Sequence, residues 1–285
     1  MLFERGAQAA ELIYGQRGIY YCPICGNAHG QAALQTGELT LEHVPPASVG
    51  GKAIALTCRR CNNPAGGTVD AAMSQRAEQM RFAELIIGHS SDYAGPAIVE
   101  IGGDKLNVWA SRTEDGRVSF SIVEQANNPQ IVRRVYERGL VDESIRVSSR
   151  VRYHGRLAQV GALRSAYLVA FAALGYSYAF APQLKSVREQ ISHPRESLIS
   201  GWTLAFANSE DAPPFQLLLS TSPPALVVKL RDVGVMLPTP TGPLDFYEQL
   251  RVRHRDDRQV RISGRPVEWP TTLAMACDFR QRPDG

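Results

Sequence analysis

Two stretches decide the fold: Cys22-Pro-Ile-Cys25-Gly-Asn-Ala-His29-Gly30, and LTLEHVPPASVGGKAIALTCRRCNNPAGGTVD over residues 39–70. The first carries one C-x-x-C pair, and the second carries another, Cys58-Arg-Arg-Cys61. Each such turn offers two thiols on one side. Four thiolates together close a tetrahedral zinc site that keeps no open coordination position. The expected site is therefore structural, and metal binding serves as folding free energy for a segment dense in Gly, Pro and Cys. The fifth cysteine, Cys277, leaves an odd count, which argues against a disulfide framework. It reads as a small apolar residue.

Between the two pairs, Leu39-Thr40-Leu41 has the character of a strand that delivers Glu42-His43 into a turn at Pro45-Pro46. Gly50-Gly51 then reverses the chain, and Ile54-Ala55-Leu56 forms a return strand. A helix after Cys61 brings Asn62 towards Glu42. A carboxylate beside an imidazole at a strand end supplies one metal ligand and one general base.

This combination resembles the HNH, or ββα-metal, endonuclease superfamily in its zinc-stabilised four-cysteine branch. The motifs are C-x2-C, Glu42-His43-x-x-Pro46, Gly50-Gly51 and Leu56-x-Cys58-x-x-Cys61-Asn62, and they span roughly residues 20–70, about a fifth of the chain. The resemblance implies DNA as substrate, RNA less so. It implies His43 as the base that activates water, with Glu42 and Asn62 holding a catalytic Mg2+ or Mn2+ beside the structural Zn2+. The sequence departs from the pattern twice. Ala53 stands where the family has a central Asn, and Gly66-Gly67 occupy the region of its final His. Asp70 is a substitute carboxylate ligand, or else an acid favoured in the first turn of a helix, and Asn63 competes with Asn62. The opposing expectation is a non-catalytic zinc-binding module that binds nucleic acid or protein.

The remainder predicts an α+β chain: a small zinc-organised ββα-metal module over residues 1–90, then a mixed α+β domain over 91–285. The module is charge-neutral, seven basic against seven acidic residues, while the whole chain carries a net +3. The excess sits in residues 133–164, with eight Arg against three acids, and in 251–265, with six Arg against two. Either set suits a phosphate-tracking surface or a solvated face. Lys52, Arg59 and Arg60 are further candidates for phosphate contact. His29 reads as a solvent-exposed residue of the first knuckle, and His89, His154, His193 and His254 have no ligand-spaced partners.

Ser165–Pro182 is apolar but short for a membrane span, so a buried helix is expected. The N-terminus lacks the apolar core of a secretory signal. A cytoplasmic protein with no membrane partner is expected, and a homodimer is compatible. By resemblance, the second domain selects a target or senses a signal, as in restriction, phage-defence or mobile-element proteins.

Helices are predicted over residues 4–14, 69–87 with Thr68 as N-cap, 128–138, 155–180 with a break at Gly175, and 182–191. Strands are predicted over 97–101, 105–111, 117–123, 145–153, 203–207, 215–220, 225–230 and 234–237.

Overall fold

A computed structural model describes residues 1–89, 91–138, 144–205, 213–253 and 262–274. Cys277 and His254 lie outside them. Helices mix with antiparallel sheets, as an α+β chain requires. The chain forms two compact units, Met1–Met73 with Gly155–Gly285, and Ser74–His154. This partition does not coincide with the sequence boundary near residue 90, because a helix beginning at Gly155 returns to the cysteine-bearing unit.

The first unit opens with α1 (Leu2–Tyr14), which buries Phe3, Ala7 and Ala10 and ends at Gly15 in the left-handed region, φ 71°. β1 (Tyr20–Tyr21) and β2 (Ala28–His29) pair around the first C-x-x-C turn. After the single-turn α2 (Ala32–Gln35), β3 (Leu39–Val44) and β4 (Lys52–Cys58) form an antiparallel hairpin. A Cβ on Gly51 would lie 1.5 Å from the Pro45 carbonyl oxygen, so only glycine closes this loop.

α3 (Arg59–Ala65) runs through a π turn at Gly66–Asp70 into α4 (Ala71–Ile86). The helix thus begins ten residues before the expected start at Val69. Thr68 does not cap it, and its hydroxyl donates back to the Pro64 carbonyl at 2.6 Å. Pro64, Gly66 and Gly67 are poor helix formers, and they hide a helix whose first turn carries Cys61.

The second unit is a four-stranded antiparallel sheet with helices on one face. Its strands are β5 (Gly95–Ile101), β6 (Asp104–Arg112) and β7 (Val118–Ile122), then α5 (Pro129–Arg138) and β8 (Ile145–Ser149), in the order β7-β6-β5-β8. Alternation sets the inner face: Ala97, Val99, Ile101, Leu106, Val108 and Ala110 pack with Phe82 and Leu85 of α4 and Val135 of α5.

The chain re-enters the first unit with α6 (Gly155–Leu174), where every residue from Leu157 onward is buried except Gln159. This helix is long and apolar enough to cross a membrane, yet it is 94% buried inside the protein, as the sequence predicts. Gly175, φ 77°, breaks it before α7 (Tyr176–Ala179) and α8 (Lys185–Ser192). A five-stranded antiparallel sheet follows, built from β9 (Thr203–Ala205), β10 (Phe215–Ser222), β11 (Pro224–Leu230) and β12 (Val233–Leu237), then α9 (Phe246–Arg253) and β13 (Ser263–Val267). Its order is β13-β10-β11-β12-β9. α6 packs against β11 and β12, and also against β3, β4 and the π turn. A Cβ on Gly161 would meet the Val69 carbonyl oxygen at 2.5 Å, so α6 crosses the π turn backbone to backbone.

Candidate active site and metal centre

The four cysteines of the two C-x-x-C turns converge. Their sulfurs all lie within 4.8 Å of one another, with Cys25 and Cys58 at 3.7 Å. Tetrahedral Zn–S bonds of about 2.3 Å place sulfurs roughly 3.8 Å apart, so the donor set fits zinc. The thiols cannot all ionise unaided. Bonds from Cys25, Cys58 and Cys61 hold the Cys22 proton far above its ordinary pKa, whereas bonds from Cys22 lower Cys25 to about 2 and Cys58 to about 6. A cation resolves that conflict. Around the cluster, the buried Tyr20 hydroxyl donates to the Leu56 carbonyl at 2.8 Å and accepts from its N–H at 3.2 Å, tying the knuckle to β4.

The hairpin separates Glu42 from His43. Successive strand residues point to opposite faces, so Leu41 and His43 are exposed while Glu42 and Val44 are buried. The register slips between them: Glu42 pairs with Ala55, His43 pairs with Ala53, and Ile54 has no partner on β3. Such a bulge re-aims the side chains beside it. Ala53 therefore faces His43 directly, and its methyl group cannot steady an imidazole by hydrogen bonding.

Glu42 is 3% exposed and fully engaged. Arg164, from the middle of α6, donates Nη1 to Oε1 at 2.6 Å and Nη2 to Oε2 at 2.7 Å. Thr57 adds a hydroxyl donor to Oε2 at 2.7 Å. Arg164 Nη1 also lies 3.3 Å from Asp70 Oδ2, so one guanidinium serves both carboxylates. Burial opposes the charge on Arg164, but the hydrogen bonds and charge of Glu42, then the charge of Asp70, more than restore it. Burial raises the Asp70 pKa, partly offset by Arg164, and Glu42 raises it further. As arranged, these acids do not fit a divalent cation, because a guanidinium takes the oxygens that such an ion requires.

Asn62 is placed beside the same strand. Its Nδ2 donates to Thr40 Oγ1 at 2.8 Å and approaches the Leu41 carbonyl at 3.4 Å. Thr40 Oγ1 in turn donates to the Thr57 carbonyl at 3.2 Å. Asn62 thus reaches Glu42 through the two threonines. Neither threonine, nor Arg164, was among the sequence candidates for this site. Two members of the basic run of 133–164 are engaged within this unit: the buried Arg164 here, and the half-buried Arg156, which bonds Gln190 and Ser197 and covers the Trp202 ring.

An open cleft of about 540 Å³ lies beside the second cysteine pair, lined by Asn27, His29, Glu38, Arg59, Arg60 and Asn63 among others. His29, expected to be solvent-exposed, has a side chain only 13% exposed, with Nδ1 4.0 Å from Glu38. Arg59 turns to the Thr36 carbonyl at 3.2 Å, while Arg60 and Lys52 are exposed.

Residues 22–78 match a family model described as HNH endonuclease. With the four cysteines positioned for a metal, this segment is consistent with the zinc-stabilised branch of that family. No curated protein and no solved structure matches the chain.

Proposed function

We propose that this protein is a nuclease that hydrolyses phosphodiester bonds in DNA, with His43 as the base that activates the attacking water. The observation that carries the reading is the hairpin bulge that leaves His43 exposed on a strand end while the acid beside it faces inward. An exposed imidazole on the hairpin that also carries Lys52 can accept the proton of a water attacking a phosphodiester. By the family resemblance Glu42, Asn62 and Asp70 would be the residues to hold Mg2+ or Mn2+. Arg164 holds the oxygens that such an ion would need, so metal binding there would require the guanidinium to be displaced.

The second reading, a non-catalytic zinc module, is favoured by the doubly bonded Arg164 and by Ala53 opposite His43. One experiment separates them. Supercoiled plasmid is incubated with the protein and Mg2+ or Mn2+, beside His43→Ala and a chelator control. Nicked or linear product that disappears in both controls is expected. Intact plasmid under every condition, across DNA types, rules out the nuclease and leaves the binding module.

A further inference from the structure

We infer that the open face of the Ser74–His154 sheet is a platform for single-stranded nucleic acid, with Trp109 as the stacking residue and β8 as its phosphate-contacting edge. Only one face of this sheet is covered by α4 and α5. The register defines the other. Trp109 pairs with Ser121 of β7 and Pro96 of β5, Asn107 with Ile98, and Lys105 with Glu100. Ile98 and Glu100 pair in turn with Ser148 and Arg146 of β8. The resulting surface places a Trp ring, 47% exposed, in the second strand, flanked by a serine and a proline that leave room beside it. A tryptophan so placed contributes nothing to the inner core and presents a π face to any base that stacks on it.

The charges are distributed to match. On α5, Arg133 pairs with Glu137, while Arg134 and Arg138 pair with Asp104. Arg146 and Arg150, and Arg152 beyond them, are exposed and have no acid partner among the described residues. Arg146 and Ser148 share the face of Trp109, and Arg150 continues their alternation just past the strand end. The opposing acid on this face is Glu100, which lies 3.8 Å from Lys105. A row of unpaired guanidiniums along the edge strand, two strands across from the aromatic ring with β5 between them, complements a phosphate backbone whose bases lie across the sheet. A duplex keeps its bases stacked inside and cannot use the ring, so the surface selects single strands.

The inference rests on the reading that this chain acts on nucleic acid, but not on His43 cutting it. The test is therefore a binding measurement on the full chain carrying His43→Ala, with no added divalent ion. Labelled oligo(dT), oligo(U) and a hairpin duplex of equal length are titrated by fluorescence anisotropy over a salt series. Tighter binding of single strands than of duplex is expected, and the DNA and RNA arms report which sugar is preferred. Trp109→Ala should weaken single-strand binding about tenfold, with Trp109→Phe recovering most of the loss. Arg146→Glu with Arg150→Glu should weaken binding and flatten the salt slope by about 1.4, the loss of two phosphate contacts at roughly 0.7 each. Unchanged melting and far-ultraviolet dichroism certify that the variants are folded. Equal affinity for duplex and single strand, absence of binding, or full affinity in a folded Trp109→Ala protein each overturns the inference. Plasmid nicking is read separately, so a catalytically dead protein with intact single-strand binding overturns only the nuclease.

Discussion

At the residue scale, Arg164 dominates. It is a lone charge in the run GALRSAYLVAF, and a buried charge must find partners or cost several kcal/mol. That rule alone says Arg164 needs an acid, and Glu42 meets the need with two hydrogen bonds. The sequence does not say which acid, because the partners are 122 positions apart. It likewise conceals the inward aim of Glu42, since the bulge at Ile54 is a matter of pairing rather than of residue type. His43 and Asn62 could be singled out from motif spacing, but the Thr40 and Thr57 relay could not. Arg164→Ala removes one partner of an enclosed pair and should destabilise the first unit by roughly 3–5 kcal/mol, read from chemical denaturation. Adding Mn2+ should raise the melting temperature of this variant and not of the parent, since only the variant leaves the carboxylates open. No response in either protein would mean that Glu42 and Asp70 exist to hold the arginine.

Elements were legible where burial imposed a period. β5 and β6 alternate cleanly and match their sequence expectations within two residues at either end. α6 declares itself by its unbroken apolar character and its stop at Gly175. β13 escaped notice because nearly all of it is exposed, so no alternation marks it in a polar, Arg-rich tail. The helical run from Arg59 escaped because Pro64 and two glycines outweigh local propensity, while the cysteines fix its first turn from outside. The crossing of α6 over the π turn offers a test at this scale. Gly161→Ala puts a methyl group 2.5 Å from the Val69 carbonyl, a backbone atom that cannot swing aside. The expected loss is about 1–3 kcal/mol. Equilibrium unfolding should detect it, and a neutral outcome would show that the two elements have slack between them.

For the whole molecule, the chain order is host, insert, host. Ser165 of α6 donates to the Met73 sulfur at 3.6 Å, and a Cβ on Gly161 would lie 3.2 Å from that of Met73, so the segment that leads into the insert packs against the helix that follows it. Adjacent ends are what let one compact unit sit inside another. Replacing residues 75–153 with a short Gly-Ser linker should therefore leave about one zinc per chain and a cooperative melt of the remainder. Residues 1–90 alone keep all four cysteines yet lack α6, and they should bind zinc without melting cooperatively. If that fragment melts like the shortened chain, α6 is dispensable to the fold.

The position of Arg164 also sets a timetable. During synthesis all four thiols have emerged by residue 61, about a hundred residues before the guanidinium that closes over Glu42. At about 5–20 residues per second this interval lasts roughly 5–20 s. Zinc can be loaded throughout it, while the two acids are still open to water and to any cation in the cell. The metal knuckle can thus form before the arginine that closes over Glu42 has been made.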